Sequence, residues 1–156
     1  MPEVKETTDR FVAAFNAHDE NTLNTLHAEN IKFHAPGGFK ATNAKDATAY
    51  AKTWMKAFPD GKMNVRSEII SGPWVVQEVL MEGTHTAPLE SPTGPIAPTY
   101  KKIASYGVQM LRVENGKIVE TRIYFDQLDQ MRQLGRQKSR CGFRNWDQTA
   151  ARFLGQ

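Results

Sequence analysis

Gln109 and Arg122 are the pair whose types and spacing could do chemistry: an arginine held inside a cavity clamps a carboxylate or an enolate in a way an exposed one does not. Both lie in residues 107–127, GVQMLRVENGKIVETRIYFDQ. Asn115-Gly116 predicts a two-residue hairpin turn there, because both central residues need φ > 0 and these two tolerate it. Counting outward from that turn sets Glu114 against Lys117, Leu111 against Glu120, Gln109 against Arg122, Gly107 against Tyr124 and Ser105 against Asp126. One face then carries Val108, Met110, Val119, Ile123 and Phe125, and the other Ser105, Gln109, Glu120, Arg122, Tyr124 and Asp126. Antiparallel alternation by itself makes the first face core and the second solvent. In that case Arg122 forms a rim salt bridge to Glu120 or Glu78.

The elements that must hold this hairpin are legible along the chain. Residues 3–17 read as a helix, with acids Glu3, Glu6 and Asp9 early and Val4, Phe11, Val12 and Phe15 at helical spacing. Asp19 offers an N-cap to a short second helix with Leu23 and Leu26 inward. Residues 30–34 predict a strand stopped by Pro36-Gly37-Gly38, and residues 43–58 a third helix with Ala47, Tyr50, Ala51, Trp54, Met55 and Phe58 in one apolar stripe. His18 and His27 fall at helix ends, where solvation is the expectation. Strand periodicity then takes over, with MNVRSEII in a strand over about 62–70 and WVVQEVLMEGTHT over 74–86, while four prolines make 88–98 a loop. Leu128, Met131 and Leu134 form a last apolar patch.

Composition narrows the class. A chain of 156 residues fits one domain with a core that needs no staples. The single cysteine, Cys141, excludes an intrachain disulfide and has no ligand-spaced partners, so neither a disulfide scaffold nor a structural zinc site is expected and a reducing compartment, the cytoplasm by default, suits it. There is no apolar leader and no run that could span a bilayer, so no membrane is expected. The net charge of +3 belongs to the tail, where Arg136, Lys138, Arg140, Arg144 and Arg152 face Asp147 alone. Scattered basic residues without a recognition motif do not make a nucleic-acid binder. The tail also carries Asn145 as an N-cap before WDQTAARFL, a short amphipathic helix to be packed on the domain or on a partner. The division expected is therefore a domain over 1–135 and a basic tail over 136–156.

Helices first and long strands afterwards give an α+β fold: a curved antiparallel sheet wrapped around three N-terminal helices, forming a cone that encloses a pocket. The order of elements, with FHAPGG (33–38), AFPDGK (57–62), EGTHT (82–86), SPTG (91–94), LRVENGKIVE (111–120), YFDQ (124–127) and MRQLG (131–135), resembles the SnoaL-like polyketide cyclases over about residues 3–135. That family shares its cone with ketosteroid isomerase, scytalone dehydratase and nuclear transport factor 2.

The resemblance implies intramolecular aldol closure of an aromatic polyketide ester without metal or cofactor, with Asp126 as general acid/base. Such a base must lie close to the proton it removes, among groups that stabilise the enolate. It implies that the Asp126 face lies inside the cone, with Trp54, Phe58, Trp74 and Tyr124 as aromatic walls for a hydrophobic substrate, and that the opposite face is convex and covered by a homodimer partner. His34 then either donates to a substrate oxygen or only ends its strand. His85 either contacts substrate or makes a structural hydrogen bond at the sheet edge. Two departures from the family, Ala87 in place of a glycine and a longer loop over 87–99, point to a remodelled mouth. An isomerase, dehydratase or hydrolase in the same cone, and a ligand-binding or dimerisation module without chemistry, are the alternatives.

Overall fold

The computed structural model describes residues 2–91 and 93–136. Helix α1 (Pro2–Asn16) and helix α2 (Glu20–Leu26) are followed by strand β1 (His27–Ala35), a single 3₁₀ turn at Pro36–Gly38 and a short strand β2 (Phe39–Ala41). Helix α3 (Ala44–Ala57) leads into β3 (Lys62–Ser71), β4 (Trp74–Thr84), β5 (Lys102–Glu114) and β6 (Lys117–Phe125), and helix α4 (Gln127–Gln133) closes the described chain. The expected cap at Asp19 is present, accepting from the Thr22 amide, and Asn43, at the start of the third helix, caps it by accepting from the Asp46 amide. The 3₁₀ turn, β2 and the helical nature of the last apolar patch are additions to the sequence reading. The basic tail with Cys141 and the Asn145 cap falls outside the described residues.

The six strands form one sheet in the order β2-β1-β6-β5-β4-β3. Every pair is antiparallel except β1 with β6, which run parallel, so the sheet is mixed rather than wholly antiparallel. The three N-terminal helices fill its concave side. Phe11 and Phe15 of α1, Leu23 and Leu26 of α2 and Ala51 and Met55 of α3 meet Ile31, Phe33, Val75, Leu111 and Ile118 of the sheet in one core. Among the described residues no helix is long and apolar enough to cross a membrane.

The hairpin turn forms as read, with Asn115 at φ 50° and Gly116 at φ 68°. The register beyond it does not hold. Glu114 pairs with Lys117 and Val113 with Ile118, but Arg112 then pairs with Glu120, leaving Val119 without an opposite number. From this bulge on, β6 is displaced by one residue, so Gln109 faces Ile123 rather than Arg122, and Gly107 faces Phe125 rather than Tyr124. A one-residue slip turns a strand's side chains to the other face of the sheet. The expected faces are therefore crossed. Ser105 and Gln109 line the concave side together with Ile123 and Phe125, while Glu120, Arg122 and Tyr124 join Val108 and Met110 on the convex side.

Candidate active site

The concave side holds two adjoining spaces. An inner cavity of about 70 Å³ is walled mainly by rings, Phe11, Phe15, Phe33, Tyr50, Trp54 and Phe125, with His27, Ser105, Gln109 and Gln130 as its polar members. Outside it, a basin of about 410 Å³ lies between the Pro36–Gly38 turn, α3, the loop at Leu89–Ser91 and Ile96, and the start of α4. Tyr50, Trp54, Phe125 and Gln130 border both spaces. An apolar cavity of about 150 Å³ holds one benzene ring. The inner cavity thus admits only a small group or short arm, and the basin is the space large enough for a ring.

The rings are fixed by one another. Phe33 lies 5.3 Å from Tyr50 between centroids, Phe39 lies 4.9 Å from Tyr50, and Trp54 stacks on Phe58 at 5.8 Å with the planes 15° apart. This arrangement follows from the α3 stripe, whose residues recur three and four apart and so present one face. Burial pushes the Tyr50 phenol up to about 12, partly offset by a hydrogen bond with Trp54, so the ring stays neutral.

Polar groups in the cavity are held from behind. Gln109 Nε2 donates to Gln77 Oε1 at 2.7 Å, and Gln77 Nε2 donates to Glu68 Oε2 at 2.6 Å. Gln130 Nε2 donates to Ser105 Oγ at 3.3 Å, tying α4 to β5. His27 is the first residue of β1, only 4% exposed, with Nδ1 3.0 Å from Thr48 Oγ1 and Nε2 without a partner among the described residues. Burial lowers its pKa to about 4, against a smaller opposing pull from the Ala44 carbonyl, and the imidazole is neutral at ordinary pH. The expectation of a solvated His27 is corrected. It follows Leu23 by four residues, so the inward stripe of α2 carries straight into it.

Of the other residues singled out from sequence, Trp54 and Gln109 line the inner cavity and Trp54 the basin as well. Phe58 is 1% exposed and backs Trp54, and His85, fully buried, lies 5.3 Å behind Phe58. His85 Nδ1 accepts the Thr99 amide at 3.2 Å and lies 3.0 Å from Thr99 Oγ1. Burial holds its pKa below the ordinary histidine value, and the ring ties down the loop over 87–99.

Asp126 itself lines neither space. It is exposed, its two sequence neighbours Phe125 and Gln127 line the basin, and its Oδ1 accepts the Asp129 amide at 2.9 Å as the N-cap of α4.

His34, Trp74, Arg122 and Tyr124 do not border either space. The Val119 bulge carries Arg122 and Tyr124 to the convex side, and His34, opposite Arg122 in the parallel pairing, is exposed there too. The Arg122 guanidinium sits 5.3 Å from the Trp74 ring and 2.6 Å from Glu120 Oε1. Burial would raise the Glu120 pKa, but the Arg122 hydrogen bond and the charges of Arg122 and Arg112 bring it below the usual carboxylate value. The rim salt bridge to Glu120 is thus the arrangement adopted. Among the described residues no group of three His, Cys, Asp or Glu side chains could hold a metal ion.

The family model for SnoaL-like polyketide cyclases matches residues 5–134. Among solved structures, a SnoaL-like polyketide cyclase candidate from Jannaschia sp. CCS1 superposes with a TM-score of 0.77 at 16% identity, covering 88% of this chain and 94% of its own. IdmH from Streptomyces antibioticus, a candidate polyketide cyclase, gives 0.72 at 25% identity, with 85% and 98% covered. AclR from Streptomyces galilaeus, a candidate hydroxylase, gives 0.75 at 22% identity, with 91% and 87% covered. None of the curated proteins matches the chain.

Proposed function

We propose that this chain, which belongs to the SnoaL-like polyketide cyclase family, is an enzyme that closes a ring in a hydrophobic, aromatic or polycyclic ketone by intramolecular aldol addition. Asp126 acts as general acid/base and no cofactor takes part. The observation that carries this reading is the two-part aromatic cavity whose basin is lined by both sequence neighbours of Asp126. The carboxylate takes a proton from the carbon beside a carbonyl. The enolate then attacks a second carbonyl carbon of the same molecule, forming one carbon–carbon bond. The alkoxide produced takes the proton back from Asp126, so the step adds and loses no atoms. Ring walls exclude water and stack on the flat substrate.

One observation favours a second reading, a module that holds a ligand without turning it over: the Asp126 carboxylate is exposed and already caps α4. Deuterium exchange at the acidic C1 position of 2-tetralone, followed by proton NMR in heavy water, separates the two. The enzyme accelerates exchange, and the module binds 2-tetralone and leaves the exchange rate at its uncatalysed value.

A homodimer through the convex face is part of the proposal. Tyr106 and Tyr124 are more than half exposed there, beside Val108, and such a patch is suited to burial against a second copy. Sedimentation equilibrium tests it, and a monomer at all concentrations would remove it.

A further inference from the structure

A chain of hydrogen bonds runs from the protein surface to the inner cavity, and it has a direction. Lys5 Nζ lies 3.4 Å from Glu68 Oε1, Glu68 Oε2 accepts from Gln77 Nε2 at 2.6 Å, and Gln77 Oε1 accepts from Gln109 Nε2 at 2.7 Å. An ionised carboxylate can only accept. Gln77 must therefore turn its NH₂ toward Glu68, which leaves its oxygen for Gln109, and Gln109 must answer with its own NH₂. That NH₂ also lies 3.5 Å from Met63 Sδ, so both of its hydrogens have acceptors. What remains is Gln109 Oε1. It belongs to a side chain 2% exposed in the cavity wall, and it accepts no hydrogen bond from any described residue.

We propose that the inner cavity selects a ligand hydroxyl, the enolic or phenolic O–H of a flat apolar ring system, which donates to Gln109 Oε1, and that Glu68 imposes this choice from the surface through Gln77. The proposal rests on the ligand-site reading above and deepens it: the cavity recognises a hydroxyl of the ring system remote from the carbonyl that reacts at Asp126. The small size of the inner cavity fits a single hydroxyl or short arm reaching in from a ring seated in the basin. Gln109 determines specificity by touching the ligand. Glu68 is a positioning residue, since it acts only through two amides.

The test compares 2-naphthol with 2-methoxynaphthalene, which has the same rings and an oxygen that cannot donate, by titration calorimetry with the full chain. One net hydrogen bond corresponds to about tenfold in affinity, so 2-naphthol binds roughly tenfold tighter. In Glu68→Lys the head of the chain becomes a donor, both amides turn round, and the preference falls to within about twofold. Gln109→Leu removes the acceptor and must bring the two affinities together as well. Equal binding of the two probes by the unaltered protein overturns the proposal and leaves the ligand site standing, as does a tenfold preference that survives Glu68→Lys, which would move recognition to His27, Ser105 or Gln130. Failure of both probes to bind removes the ligand site itself.

Discussion

The indole of Trp54 meets the ring of Phe125 edge-on, 5.6 Å between centroids at 90°, and both rings line the inner cavity and the basin. Helix α3 supplies one side of this contact and the last residue of β6 the other, so it depends on two elements that touch at few other points. Trp54 is held in turn by its stack on Phe58. Trp54→Ala therefore does two things: it costs about 3 kcal/mol in urea unfolding, the usual loss for an aromatic side chain in a packed site, and it joins the two spaces. Binding of 2-naphthol weakens by tenfold or more in the same variant, because the flat face on which it stacks is gone.

His27 makes stability depend on pH. Its pKa is about 4 in the fold against 6.5 for an unperturbed histidine, because burial disfavours the charged ring. Between those values the unfolded chain takes up a proton that the fold refuses. The stabilisation is therefore fully present above pH 6.5 and is lost as pH falls toward 4, amounting to roughly 3 kcal/mol across the window. His85 shifts in the same direction. The measurement is thus a difference: urea midpoints of the unaltered protein and of His27→Phe at pH 7 and pH 4.5, with the smaller drop expected in the variant.

His85 holds the basin's outer wall. Its Nδ1 accepts the Thr99 amide and lies 3.0 Å from the hydroxyl oxygen of the same residue. Backbone bonds from Tyr100 to His85 and from Thr86 to Ala57 complete the attachment. His85→Ala leaves the Thr99 amide without its acceptor at a cost of about 1–3 kcal/mol. Limited proteolysis should then cut within 87–99 at a rate well above that of the unaltered protein, while α1 to α3 stay protected.

Much of this was legible in the sequence, and the failures have one physical pattern. Periodicity located every long element, and Asp19 and the Asn115-Gly116 turn declared their roles because caps and positive φ are local chemistry. The Val119 bulge is not local. Val113–Ile118 and Arg112–Glu120 can both be satisfied only if one residue is skipped, and the pairing of β6 with β1, far along the chain, shifts at the same place, between Ile118 and Glu120. The skip moved Arg122 and Tyr124 out of the cavity and brought Ile123 and Phe125 in. His27 was missed because it was read as a solvated helix end, although it follows Leu23 by four residues and so continues the inward stripe of α2 as its C-cap. Gln109 stayed inside because β5 itself has no bulge against β4.

Asp126 offers the most direct measurement, because asparagine caps a helix as well as aspartate does and α4 should keep its place in Asp126→Asn. The rate of 2-tetralone deuterium exchange and the affinity for 2-naphthol are to be measured side by side in the two proteins. If Asp126 is the acid/base, exchange falls by a hundredfold or more while affinity stays within about twofold. Exchange that is accelerated equally by both proteins would contradict that role, and so would exchange that is lost only together with binding.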